Sequence, residues 1–167
     1  MTGQGRIIIG IDPGSRITGY GIVRTGRGAA ISSIAWGVIK TDTTSSFPDR
    51  LFEIHEALSK LLLKYQPEKA VIEKVFLAKN PSSALKLGQA RGAAIVTCRM
   101  HNVLVSEFSA KEIKSAATGY GAASKEQVAG MIGMLLGIRE KIPADASDAL
   151  AMAYCGATTT PFNNQLA

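Results

Sequence analysis

Four carboxylates stand apart in a chain of 167 residues that carries 13 acidic side chains against 19 Lys and Arg. Asp12 ends the run Arg6-Ile7-Ile8-Ile9-Gly10-Ile11-Asp12, and Glu73 ends Lys69-Ala70-Val71-Ile72-Glu73. Asp145 and Asp148 lie three residues apart near the C-terminus. The two apolar runs are short and rich in β-branched residues, the pattern of strands buried on both faces. A carboxylate at the end of such a strand is costly to bury without a partner. Asp145 and Asp148, on a helix, project from one face. If the two strands are neighbours and the last helix crosses their ends, all four acids converge. Two carboxylates ~4 Å apart repel by ~4 kcal/mol at an effective dielectric near ~20, so such a cluster needs cations or protons. Hard oxygen donors without His or Cys suit Mg²⁺ or Mn²⁺ and not zinc. In a protein of net charge +6, an acidic metal-binding pocket suits a phosphodiester: the surface attracts the polyanion and the metal admits it to the acids.

Each acid also has a structural reading. Asp12 before Pro13-Gly14 can cap its own turn. Asp145 can be the N-cap of the last helix, with Asp148 a first-turn acid favoured by the helix dipole. These readings stand singly, but together they leave the recurrence of acids at element ends as coincidence.

The elements that must position the acids are legible from periodicity. After the first strand, Gly19 to Arg24 and Ala30 to Ile39 read as two further strands of an antiparallel meander punctuated by Gly26-Arg27-Gly28. Pro48 opens a helix to about Lys64, with Leu51, Ile54, Leu58 and Leu61/Leu62 at helical spacing. The Lys69–Glu73 strand follows, then a helix from Pro81 to about Met100 and a fifth strand from Asn102 to Phe108. Ser109 caps a short helix through Ala117, and Ser124, at capping-box spacing from Gln127, caps another through about Gly137. Pro143 precedes a final helix from Asp145 to about Gly156, and the rest reads as a tail. Three antiparallel strands followed by strands alternating with helices predict an α/β fold: a five-stranded mixed sheet flanked by helices. The expectation is a single domain over 1–167, its core about 6–156.

Ala84, Gly88 and Gly92 recur every four residues and leave one helix face bare. That face packs on the protein's own sheet or on a second copy of the chain. His55 has no acid or thiol at ligand spacing and reads as a surface or satisfied histidine. Cys98 and Cys155 read as buried free thiols. With no leader segment at the start and no stretch of membrane-spanning length, a cytoplasmic protein without membrane contact is expected.

The residues also carry a resemblance. Gly10-Ile11-Asp12-Pro13-Gly14-Ser15-Arg16 with Thr18-Gly19-Tyr20-Gly21 resembles the start of the RuvC family of Holliday-junction resolvases, which have a ribonuclease H-like fold. Ile72-Glu73-Lys74-Val75-Phe76, Ala78-Lys79-Asn80, Ser83 to Gly92 and Asp145-Ala146-Ser147-Asp148-Ala149-Leu150-Ala151 continue it in order over roughly residues 6 to 156. The resemblance implies that Asp12, Glu73, Asp145 and Asp148 are catalytic and hold two Mg²⁺ per subunit, for which Mn²⁺ can substitute. It implies paired symmetric nicks in four-way junction DNA, leaving 5′-phosphate and 3′-hydroxyl ends, in recombination and repair. Phe76 matches an aromatic residue that stacks on bases at the junction centre, where a stacked base contributes ~1–3 kcal/mol. Lys114 and Lys125 match basic residues near the scissile phosphate, while Lys79 and Arg91 fall in matching segments and are DNA-binding candidates. The family pattern further implies a homodimer with two active sites and a branch-migration complex of the RuvA and RuvB type as partner. Three alternatives remain at this level: a nuclease of the same fold acting on structured RNA, an actin- or hexokinase-like nucleotide-binding protein, and a DNA-binding protein without catalysis.

Overall fold

The computed structural model describes residues 5–75 and 80–159. Five strands form one sheet in the order β3-β2-β1-β4-β5. β1 (Ile7–Asp12), β2 (Ile17–Thr25) and β3 (Ile31–Lys40) are the antiparallel meander, while β4 (Lys69–Glu73) joins β1 in parallel and β5 (Leu104–Phe108) joins β4 in parallel. The expected mixed sheet is therefore the observed one. β1, with Ile8, Ile9, Gly10 and Ile11 buried, lies at its centre.

Among the described residues there are five α-helices: α1 (Phe47–Tyr65), α2 (Pro81–Met100), α3 (Ala110–Thr118), α4 (Lys125–Leu135) and α5 (Ala144–Thr158). Local chemistry sets their starts. Ser46 accepts the Asp49 N–H ahead of α1, so that helix begins one residue before Pro48. The Asn80 side chain caps α2, and Ser109 and Ser124 make full capping boxes with Glu112 and Gln127, each satisfying backbone donors that the first turn leaves without partners. α5 starts after Pro143 and no side chain caps it, which removes the N-cap reading of Asp145.

The core lies on both faces of the sheet. On one, Ile9, Ile11, Ile22, Ala70 and Ile72 pack with Ile54, Leu58 and Leu62 of α1 and Ala90, Ala94 and Cys98 of α2. On the other, Ile8, Val23 and Val71 meet α5, whose Leu150, Met152, Ala153 and Cys155 are buried, with α3 and α4 beyond. Cys98 and Cys155 are both buried and free, and the His55 ring nitrogen is satisfied at 2.8 Å by the Thr97 hydroxyl.

α5 sits unusually close to the sheet. Gly10 and Gly21 are register partners on β1 and β2, and Gly19 pairs with Asp12. A Cβ at Gly10 would lie 1.9 Å from the Ala149 carbonyl oxygen, one at Gly19 would lie 2.0 Å from that of Asp145, and one at Gly21 would lie 2.6 Å from the Leu150 nitrogen. Only glycine lets two backbones meet at such a distance. This three-glycine seat brings the first turns of α5, with Asp145 and Asp148, down onto the end of β1.

The small-residue face of α2 behaves differently. Its buried positions are Ala90, Ala94, Thr97 and Cys98, whereas a Cβ at Gly88 or Gly92 would meet nothing within 4 Å. Gly88 and Gly92 thus make no close packing on the sheet, and Leu85 (68% exposed) and Val96 (57%) stand out from the same helix.

Candidate active site

Asp12 and Glu73 both end strands at the same edge of the sheet, because β1 and β4 are parallel neighbours with Ile11 beside Ile72. The strands fix each carboxylate's backbone within a packed core, and α5 crosses above them. The crevice outside the carboxyl ends of parallel strands is a recurrent place for sites in α/β sheets.

Electrostatics ties the four acids together. Burial raises the Asp12 carboxyl to about 7, reinforced by the charges of Asp148, Asp145 and Glu73 and opposed by Lys125. Burial also raises Glu73, with Asp148 adding to it and Lys125 and Lys114 acting against it. Lys125 is held above its ordinary range by its hydrogen bond to Asp148, then by the charge of Asp148 and those of Asp12 and Glu73. Its Nζ donates to Asp148 Oδ2 at 3.2 Å.

The turn after Asp12 does not depend on the Asp12 side chain. Thr18 Oγ1 accepts the Gly14 N–H at 3.2 Å and donates to the Gly14 carbonyl at 3.0 Å, so the turn-capping reading of Asp12 has no bond to support it. Among the described residues, no three His, Cys, Asp or Glu side chains converge closely enough to ligate one metal ion as they stand. The donor set fits Mg²⁺ or Mn²⁺: four carboxylates, all hard oxygen, one of them with its pKa raised by burial and then by the charges of the other three. A divalent ion would relieve that strain.

Two hollows flank the acids and share Glu73. One, of about 180 Å³, is lined by Glu73, Asp148, Lys114 and Lys125 above an apolar floor that includes Ile113 and Met152. The other, of about 380 Å³, is lined by Asp12, Glu73, Lys74, Leu87 and Arg91. Acids line the centre and cations the walls. Lys114 and Lys125 thus stand beside the carboxylates as expected. Arg91 lines the second hollow too, but its guanidinium is ion-paired with Glu107 and its Nε is buried with no hydrogen-bond partner among the described residues. Phe76 and Lys79 lie outside the described residues.

Two contributors were not singled out from the sequence. One is the glycine seat; the alternation Gly19-x-Gly21 puts both glycines on one strand face, a signal that was available. The other is Arg50, whose guanidinium reaches from α1 to the turn beyond Asp12. Nothing in the spacing of α1 distinguishes this arginine from a solvated one.

A central sheet of this order, with carboxylates at the ends of its two middle strands and on a crossing helix, defines a ribonuclease H-like fold of the nuclease type. The family model for crossover junction endodeoxyribonuclease RuvC matches residues 8–156. A relative from Coxiella burnetii, a crossover junction endodeoxyribonuclease RuvC, is 51% identical over 166 residues, covering 99% of this chain and 95% of that one. One of the same description from Lawsonia intracellularis is 46% identical, covering 96% and 95%. Among solved structures, T. thermophilus RuvC in complex with a Holliday junction substrate superposes with a TM-score of 0.85 at 31% identity, covering 91% of this chain and 93% of that chain. The yeast mitochondrial Holliday junction resolvase Ydc2 shares the fold, with a TM-score of 0.68 at 16% identity over 92% and 78%. The chain belongs to the RuvC family of crossover junction endodeoxyribonucleases.

Proposed function

We propose that this protein resolves four-way DNA junctions by metal-dependent phosphodiester hydrolysis, with Asp12, Glu73, Asp145 and Asp148 as the catalytic, metal-holding acids. The observation that carries the reading is Asp12: a half-buried carboxylate pushed up to about 7 by burial and by the other three acids, sharing one hollow with Glu73, which lines a second with Asp148, Lys114 and Lys125. The four acids hold Mg²⁺, two ions per subunit, with Mn²⁺ as a substitute. When bound, the metal neutralises phosphate charge and supplies a nucleophile at neutral pH.

The chain's own groups do the remaining work. Lys125 holds Asp148 in place through its 3.2 Å bond and turns to the incoming phosphate, a stronger partner than one exposed carboxylate. Lys114 faces the same hollow and orients the backbone. Phe76 stacks on bases at the junction centre, Lys79 binds the DNA, and Arg91 contributes once DNA competes for it with Glu107.

The protein works as a homodimer of single nuclease domains, placing two such sites on a two-fold symmetric junction and making paired nicks with 5′-phosphate and 3′-hydroxyl ends. The open face of α2 with Gly88 and Gly92 suits a second copy of the chain. A branch-migration complex of the RuvA and RuvB type is the natural partner, in the cytoplasm. No helix among the described residues is long and apolar enough to cross a membrane.

Incubating the protein with immobile and mobile four-way junctions, with and without Mg²⁺, and mapping the nicks tests the reading. Symmetric nicks that require Mg²⁺ are expected. Tight junction binding with no nick at any Mg²⁺ concentration would leave a binding protein, and preferential cutting of structured RNA would move it to another substrate.

A further inference from the structure

The Asp12 carboxylate makes no side-chain hydrogen bond or ion pair among the described residues, so its position depends on the backbone on either side. β1 fixes one side. The other is the turn 13–16 into β2, and two devices hold it. Thr18 grips Gly14 from within. From outside, the Thr41 N–H donates to the Arg16 carbonyl at 3.1 Å and the Thr41 hydroxyl donates to the Ser15 carbonyl at 2.9 Å. Arg50 of α1 completes the grip: Nη2 donates to the same Ser15 carbonyl, and Nε donates to Thr41 Oγ1 at 3.2 Å.

Thr41 is buried, and Arg50 is partly so. α1 owes its docking to Ile54, Leu58 and Leu62, the first of them a turn beyond Arg50. Within α1 the guanidinium lies 5.7 Å from the Phe47 ring, while its hydrogen bonds go to Thr41 and to the turn. With both carbonyls drawn inward, the Arg16 side chain is left on the exposed side.

We propose that Arg50, acting on the turn directly and through Thr41, is a positioning residue for Asp12. It locks the 13–16 turn so that the carboxylate stays where Glu73, Asp145 and Asp148 can share a cation with it. The inference rests on the reading of Asp12 as a metal ligand. Arg50→Met keeps the aliphatic stem and removes the donors, Arg50→Lys restores one charged donor, and Thr41→Val removes only the hydroxyl relay.

Three readouts separate positioning from bulk stability: Mn²⁺ affinity by electron paramagnetic resonance without DNA, single-turnover cleavage of a junction in Mg²⁺, and junction affinity without divalent metal. Arg50→Met should weaken Mn²⁺ binding by about tenfold and slow cleavage by about 10- to 100-fold, the scale of an ångström-level misplacement. Junction affinity should stay within about twofold, since DNA binding draws on many phosphate contacts. Arg50→Lys should recover part of the loss, and Thr41→Val should reproduce a smaller one, which keeps the test alive if Arg50→Met fails to fold. Wild-type Mn²⁺ affinity and rate in folded Arg50→Met or Thr41→Val, beside an inactive Asp12→Asn control, overturns the clamp alone. A control Asp12→Asn that still binds Mn²⁺ and cuts removes the premise and the proposal with it.

Discussion

Beneath α5, three glycines leave no room for a Cβ, and a helix backbone rests directly on two strands; on α2, Gly88 and Gly92 face space with nothing within 4 Å. Neither set announces its role in the sequence: Gly88 and Gly92 recur at helical spacing, while Gly10, Gly19 and Gly21 are scattered over two strands. The difference lies in what sits opposite. In the first region the partner is the chain itself, and the close approach carries two acids toward a third. In the second, the described chain supplies no partner, which makes that face the candidate for a second copy.

The comparison can be broken most directly at Gly10. Gly10→Ala should destabilise the fold by about 3 kcal/mol, because the new Cβ meets backbone that cannot yield without shifting α5. Urea denaturation checks it, and an unchanged midpoint would mean that α5 is not seated as described. Asp12→Asn asks what the seat is for. Cleavage should fall by about a thousandfold, the loss of several kcal/mol of metal-assisted stabilisation, while junction binding persists.

Asp12→Asn should also change the pH response. Burial and the neighbouring acids push the Asp12 carboxyl up to about 7 in the folded chain, from an ordinary carboxylate value of 3.8, so between those values the folded state holds the extra proton. Stability in metal-free buffer therefore declines as pH rises through that window. The variant should flatten the decline, leaving the smaller contribution of Glu73, which is shifted in the same direction. Melting temperatures at pH 5 and pH 8 in chelator measure it, and identical slopes would remove the Asp12 carboxyl as the source of the decline.

Gly88→Ala sharpens the other half of the comparison. A helix interior gains up to about 1 kcal/mol when alanine replaces glycine, so the dissociated chain should become more stable. If this face joins two copies, sedimentation should show weaker self-association at the same time. The smallest effect is expected at Lys125→Met: the ion pair to Asp148 is 79% and 31% exposed at its two ends, so stability should change by less than about 1 kcal/mol even as cleavage slows.

Much of this was legible because the signals were local. β1 and β4 showed in β-branched runs that end at carboxylates, and the capping boxes at Ser109 and Ser124 showed in short spacings. The Asp145/Asp148 pair needed only helical periodicity. Boundaries slipped by a residue or two where a cap lay just outside the apolar pattern, as at Ser46, or where α5 continued to Thr158 through residues of weak preference. What stayed hidden depended on distant partners. The ion pair of Arg91 with Glu107 joins α2 to β5, and Arg50 reaches Ser15 across 35 positions of chain. The proximity of Asp12 to Asp148 was conditional on strand order, which periodicity cannot supply.

The glycine seat also sets how this protein tolerates change. Every missense codon at Gly10, Gly19 or Gly21 introduces a Cβ, and each meets α5 backbone. These positions have no conservative neighbour in the genetic code. In a saturation library selected for junction cutting, they should be depleted as completely as the acids themselves, although none of the three has a side chain with which to touch DNA or metal.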